Sequence, residues 1–209
     1  MRPSRTPRPD ADHPPGAAGA IYPPREDSWL LVPFARVTRG SSLLEVGAGA
    51  GIAALEAARC GARVVATDLN PFALARLRDA ARADALELEV VRTDLANGLG
   101  RFDRILANPP YLPTRPEERD PDRWHNLALD GGPDGTRVTA RLVASVADHL
   151  APRGAAFLLV SSVQSAEGLG SVLERWGRFG GRHEVVARQT LEGERLEVWR
   201  LESATALDG

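Results

Sequence analysis

The chain has 209 residues, 43% of them apolar and 26% charged, with a formal net charge of −2. That length suffices for one self-supporting core, and the near-neutral charge excludes a general electrostatic pull towards nucleic acid or anionic membrane. Cys60 is the only cysteine, which excludes an internal disulfide and a cysteine-type zinc site.

All 26 basic residues are arginine, which with the abundant Ala, Gly and Pro reads as coding bias rather than chemistry. No apolar run is long enough to span a membrane, and the Pro- and Arg-rich start lacks the continuous apolar stretch of a secretory signal. A cytoplasmic protein without a membrane partner is expected. Residues 1–19 hold five prolines and scattered charges. They cannot bury enough apolar surface to offset the entropy of ordering, so a disordered tail is expected. Residues 20–202 read as one domain without a linker, and 203–209 as a C-terminal tail.

In chain order, Glu26, Asp27 and Ser28 offer helix-start chemistry ahead of Trp29, Leu30, Leu31, Phe34 and Val37. Pro33 falls inside that pattern and is expected to kink the helix or end its first turn. Then short aliphatic runs alternate with helical patterns. Strands are expected at 42–46, 63–67, 86–91, 102–107 and 155–161, with helices at 52–60 and 71–82 between the first three. Val138, Leu142, Val143, Val146 and Leu150 trace one face of a long helix, and Val172, Leu173 and Trp176 mark another. Residues 183–191 and 195–201 read as a hairpin around Glu192-Gly193-Glu194. Alternating strands and helices imply an α/β fold: a mostly parallel sheet with helices on both faces and an antiparallel C-terminal hairpin.

Three constellations carry chemistry. Glu45-Val46-Gly47-Ala48-Gly49-Ala50-Gly51 follows the first strand, where glycines let the backbone turn sharply and approach a ligand. The spacing Gly-x-Gly-x-Gly falls one residue short of the dinucleotide fingerprint. With the preceding Glu45 it resembles an S-adenosylmethionine loop, which holds a cationic amino-acid moiety rather than a pyrophosphate. Asp68 ends the second strand, where a carboxylate can accept both ribose hydroxyls, while Asn70 before Pro71 suits a helix cap. Asp94 ends the third strand, where a carboxylate can accept from an adenine amino group. Ligands sit at the carboxyl ends of such sheets, so three acids at successive strand ends reinforce one another.

The sharpest signal is Asn108-Pro109-Pro110-Tyr111, directly after the fourth strand. Two prolines stiffen the loop and leave carbonyls without competing N–H donors. Asn108 adds a donor and an acceptor on a short side chain, and Tyr111 a flat wall. Together they can grip a planar –NH2 group and aim its nitrogen at a methyl donor. His13, His125, His149 and His183 have no ligand spacing, so no metal is expected. Trp124-His125 faces substrate or anchors its loop.

In this order the motifs resemble those of class I S-adenosylmethionine-dependent N-methyltransferases. Tyr22-Pro23-Pro24-Arg25-Glu26-Asp27-Ser28 and Leu129-Asp130-Gly131-Gly132-Pro133-Asp134-Gly135 narrow the likeness to the short HemK-type release-factor glutamine methyltransferases. The resemblance covers about residues 20–202. Pro33 and the charged, Pro-interrupted stretch 114–123 depart from the family pattern, on the substrate surface rather than at the cofactor site. The resemblance implies a Rossmann-like seven-stranded sheet in the order 3-2-1-4-5-7-6. It implies that Glu45, Gly47, Gly49 and Gly51 hold the methionine end of S-adenosylmethionine, Asp68 with Leu69 the ribose, and Asp94 with Leu95 the adenine. Ser28 would close over the cofactor, with Tyr22 nearby. Asn108, Pro109, Pro110 and Tyr111 would form the catalytic set, with Asn108 also touching cofactor and S-adenosylhomocysteine as the product.

The implied acceptor is a glutamine in the Gly-Gly-Gln tip of a translation release factor. Alternatives are an exocyclic amino group of nucleic acid (adenine N6 or guanine N2), a small-molecule amine, or no catalysis in a binding protein that kept the pocket. A nucleic-acid enzyme normally needs a basic groove, which this composition does not supply. Some short relatives work with a small zinc-binding partner. Glu87 and Glu89, at period two on the expected sheet edge, would blunt that edge, so an obligate partner is not expected.

Overall fold

The computed structural model describes residues 23–203. The expected N-terminal tail and Tyr22 lie outside the described residues, as do residues 204–209; Ser203, assigned to the C-terminal tail, instead ends the last strand.

The expected alternation is present: β1 (Ser42–Val46), α2 (Ile52–Arg59), β2 (Arg63–Asp68), α3 (Pro71–Ala83), β3 (Glu89–Arg92) and β4 (Phe102–Ala107). They are preceded by α1 (Glu26–Ala35) and followed by α5 (Arg137–His149), β5 (Leu150–Ser161), α6 (Ala166–Arg178), β6 (Gly181–Leu191) and β7 (Glu194–Ser203). Among the described residues the strands form one seven-stranded sheet in the order β3-β2-β1-β4-β5-β7-β6. β1 to β5 run parallel and β7 runs antiparallel to both β5 and β6. The order reverses between β1 and β4, and a ligand crevice is expected over their carboxyl ends.

The strands are nearly continuously apolar because both faces are covered. In β5, Phe157 and Leu159 join the core under α1, α2 and α3, while Ala156, Leu158 and Val160 face α5 and α6. α3 begins as expected, with Asn70 accepting from the Phe72 N–H at 3.0 Å and Pro71 in the first turn.

Several expectations are corrected. Pro33 does not end α1 early: the helix runs on to Ala35, and Arg104 donates to the Phe34 carbonyl at 2.8 Å near its end. A proline in the last turn forfeits one helical bond but leaves the exit intact. α1 starts where expected, at Glu26, with Glu26 and Asp27 in its first turn and Arg25 at its cap position without a side-chain bond. The third strand starts at Glu89, not 86, because α3 ends in a left-handed turn at Ala85 (φ 52) and the Leu86 amide is taken by the Ala81 carbonyl. Glu87 therefore precedes the edge strand. β5 starts at Leu150, with a register shift opposite Phe102 to Arg104, so Leu150 ends the helical face as its cap. Residues 112–129, expected as loop, contain a 3-10 turn (Pro116–Glu118) and α4 (Arg123–Leu129). α4 has seven residues and none is fully buried; Trp124, Leu127 and Ala128 share its cavity side, a run too short to display a helical period in the sequence.

Candidate active site

The crevice over β1 and β4 holds a cavity of about 740 Å³. It is lined by every described residue that the resemblance assigns to the site: Ser28, Glu45, Gly47, Gly49, Gly51, Asp68, Leu69, Asp94, Leu95, and Asn108 through Tyr111.

The glycine loop leaves β1 with Gly47, Gly49 and Gly51 all at positive φ, between 52° and 70°. A Cβ on Gly47 or Gly49 would meet no atom within 4 Å and would occupy open space beside the loop. Gly51 does other work: a Cβ there would sit 2.3 Å from Leu77, so this glycine admits α2 to close packing against α3. Asp68 shapes the loop directly. It accepts from the Gly49 N–H at 2.9 Å and the Asn70 N–H at 2.8 Å, and a carboxylate has lone pairs left for a ligand. Glu45 accepts from the Ala54 N–H at 2.7 Å. Burial, aided by the charge of Asp68 and opposed by that hydrogen bond, pushes its carboxyl up to about 8. A cationic amine is the partner that would restore the carboxylate there.

Leu95 is held at φ 55, a strained value for a leucine, with its carbonyl accepting from the buried Thr67 hydroxyl at 2.8 Å. The bond fixes the turn after β3 and sets Asp94 at the rim. There Asp94 pairs with Arg141 of α5 at 2.5 Å, a partner the sequence did not disclose.

Asn108 sits at the other end of the cavity. Its Nδ2 donates to Asp27 Oδ2 at 3.0 Å, and its Oδ1 is a buried atom with no partner among the described residues. Asp27 is only 6% exposed and also accepts from the Ser28 N–H at 2.7 Å. The carboxamide is thereby oriented with its acceptor left for something else. Asp27 was read as a helix-start residue; its burial over Asn108 has no signature in the local pattern.

The stretch after Tyr111 folds back over the cavity. The Leu112 amide bonds the Leu129 carbonyl, the Gly131 amide bonds the Leu112 carbonyl, and the Thr114 amide bonds the Gly132 carbonyl. Buried Asp130 pairs with both Arg119 and Arg137 and accepts from the Gly132 N–H at 2.8 Å. Burial alone would raise its carboxyl, but the Gly132 bond, then the Arg137 bond and charge and the Arg119 bond, hold it below the usual carboxylate range. Trp124 lines the cavity and meets Phe72 edge-on at 5.9 Å, with the Arg123 guanidinium 4.0 Å from its ring centre. It both anchors its segment and borders the site.

The family described as "Methyltransferase small domain" matches residues 26–127. A Methanocaldococcus jannaschii protein, named for protein N5-glutamine methyltransferase activity, is 33% identical over 186 residues, covering 87% of this chain and 92% of the relative. Mouse methyltransferase HEMK2 is 33% identical over 178 residues, covering 79% of this chain and 83% of the relative. The chain belongs to the HemK-type methyltransferase family. It is an S-adenosylmethionine-dependent methyltransferase with the class I sheet. Among solved structures, Mtq2 of E. cuniculi, in the Mtq2–Trm112 complex that methylates the termination factor eRF1, superposes with a TM-score of 0.67 at 26% identity. That match covers 88% of this chain and 98% of the other. Among the described residues of the methyltransferase, no helix is long and apolar enough to cross a membrane.

Proposed function

We propose that this methyltransferase modifies the side-chain amide nitrogen of a glutamine in the Gly-Gly-Gln tip of a translation release factor, in the cytoplasm, with residues 20–202 as the catalytic unit. One observation carries the reading: Asn108 presents a buried acceptor without a partner among the described residues, on a carboxamide whose donor side is fixed by Asp27. A buried acceptor left unpaired costs about 1–3 kcal/mol, which an incoming N–H would recover.

The residues fit the cofactor. Glu45 and the open faces of Gly47 and Gly49 would hold the methionine end with Gly51 behind them, Asp68 and Leu69 the ribose, and Asp94 and Leu95 the adenine. Ser28 lies close to Asn108 through Asp27 and would close over the cofactor. Bound S-adenosylmethionine supplies an electrophilic methyl on a sulfonium, whose sulfur keeps the bonding electron pair and leaves as S-adenosylhomocysteine.

The protein's task is orientation. An amide lone pair is delocalised into its carbonyl and attacks poorly, and its N–H becomes acidic only as the new N–C bond forms. Asn108 Oδ1 and the Pro109 carbonyl would accept the two N–H bonds, turning the nitrogen towards the methyl and stabilising the positive charge that develops there. Pro110 stiffens the peptide that presents the Pro109 carbonyl, and Tyr111 would stack beside the flat amide. One proton then leaves to solvent. Positioning of this kind supplies up to about 7–11 kcal/mol when geometry is ideal.

A glutamine flanked by glycines reaches such a cavity without neighbouring side chains in the way. The relatives' names support the same acceptor. The edge strand β3 is only four residues long and carries Glu89 and Arg92 exposed, so the chain works without an obligate zinc-binding partner. Incubation of the purified protein and labelled cofactor with cell extract, followed by protease or nuclease, tests the acceptor class: protease releases the label. Release by nuclease alone assigns the activity to a nucleic-acid amino group.

A further inference from the structure

The loop Asn108 to Tyr111 is supported from behind by two residues that contribute nothing to the cavity lining. Gly135 lies at φ +76, and a Cβ there would stand 2.4 Å from the Tyr111 carbonyl oxygen. The bare face of this glycine is therefore pressed against the backbone at the loop's exit. The Gly135 carbonyl in turn accepts from Nε2 of Gln164 at 2.9 Å. The same nitrogen donates to Thr139 at 3.0 Å, and Oε1 of Gln164 accepts from the Ser161 N–H at 2.9 Å.

Gln164 sits in the turn between β5 and α6, a place where a polar side chain ordinarily faces water. Here it is 4% exposed and Thr139 is fully buried. Holding a glutamine rigid and desolvated is costly in side-chain entropy and polar burial unless its hydrogen bonds are made, and both N–H donors and the acceptor are engaged. The carboxamide joins three pieces: the carboxyl end of β5 at Ser161, α5 at Thr139, and the glycine turn on which Tyr111 rests. Asp134 ties the same turn to α6, its carbonyl accepting from the Ser165 N–H at 2.9 Å.

We propose that Gln164 is a positioning residue for methyl transfer. It holds Gly135 against the Tyr111 carbonyl and so fixes the Asn108 to Tyr111 loop relative to the sheet that carries the cofactor-binding acids. The assignment rests on the reading of that loop as the grip on the acceptor amide.

Gln164→Glu keeps the shape and the acceptor for Ser161 but removes both donors and sets a carboxylate oxygen against the Gly135 carbonyl. A misplacement of about 1 Å costs about 10²-fold in rate, so kcat on the release factor falls by that order. The dissociation constant for S-adenosylhomocysteine stays within about twofold, because Glu45, Asp68 and Asp94 are held by other loops. Lowering the pH restores part of kcat relative to wild type, since the introduced carboxyl regains one donor when it is protonated. Hydrogen exchange in residues 108–114 accelerates while residues 43–54 are unchanged. Gly135→Ala gives the same division, and Gln164→Met replaces the Gln164→Glu variant if near-ultraviolet circular dichroism shows that variant unfolded. Unaltered kcat and exchange, or kcat and cofactor affinity falling in proportion, overturns the proposal. A wild-type protein inactive on the release factor counts against the acceptor, and the exchange pattern then decides the role of Gln164.

Discussion

Removing the Asp27 carboxylate should disable the reaction without removing any group that touches the acceptor. Asp27 is 6% exposed and accepts from Asn108 Nδ2 at 3.0 Å, so Asp27→Ala strands a buried amide donor and frees the carboxamide to rotate. Once it turns, Oδ1 no longer faces the cavity. A hydrogen bond to a charged group is worth about 1.5–3 kcal/mol, and losing it from the reactive arrangement lowers kcat by about ten- to a hundredfold. Asn108→Ala removes the acceptor itself and costs about 3 kcal/mol or more of transition-state stabilisation. Because Asp27 acts through Asn108, the double variant should be no slower than Asn108→Ala alone. Steady-state turnover of a purified release factor, with both substrates varied, measures all three, and calorimetry with S-adenosylhomocysteine checks that each variant still binds. Near-normal turnover of Asp27→Ala, or full additivity in the double variant, would refute the reasoning.

Asp68→Ala should weaken S-adenosylhomocysteine binding by about 3 kcal/mol in calorimetry, near the top of the range for a charge-assisted bond, because the carboxylate also ties down the Gly49 and Asn70 amides; a loss below tenfold would remove Asp68 from the site. Glu45 holds its proton up to about pH 8 in the fold against 4.5 for an ordinary glutamate, so its contribution to stability is full below 4.5 and is lost as pH rises through about 8. Ligand-free protein should therefore lose more unfolding free energy between pH 5.5 and 8 than Glu45→Gln does in urea titrations, and equal losses would contradict the assignment. Ala85→Gly should stabilise the fold by about 0.5–1 kcal/mol, because Ala85 sits at φ 52 after α3, where glycine is unstrained; a lowered melting temperature would count against it. The chain expressed alone should be soluble and active, and insolubility cured by a co-expressed zinc protein would reverse that expectation.

The sheet was legible because the buried strands carry short aliphatic runs and the turns after β1 to β4 carry glycine, Asp or Asn. The cofactor crevice followed from the same pattern, since Glu45, Asp68, Asp94 and Asn108 lie at or just past the carboxyl ends of strands of known polarity. What stayed hidden were partners distant in sequence. Asp27 meets Asn108 across 81 positions, Asp94 meets Arg141 across 47, and Gln164 reaches Gly135 across 29. Such pairs leave no periodic trace, because each side chain alone reads as a helix-start residue, a solvated charge or a turn polar group. α4 escaped for another reason: its anchors are Asp122, which accepts from the Trp124 amide at 2.8 Å, and the Trp124–Phe72 contact, rather than a buried stripe. The 3-residue delay of β3 traces to one left-handed alanine, a conformation that side-chain chemistry does not announce.

The central claim is that the Asn108 acceptor is held open for a glutamine amide. Mass spectrometry of a release factor incubated with the purified methyltransferase and S-adenosylmethionine tests it most directly. One added methyl group on the glutamine of the Gly-Gly-Gln tip, absent with Asn108→Ala and weak on a short peptide of the same sequence, is the predicted result. An unmodified factor, while DNA or RNA from the same extract gains methyl groups, would contradict it.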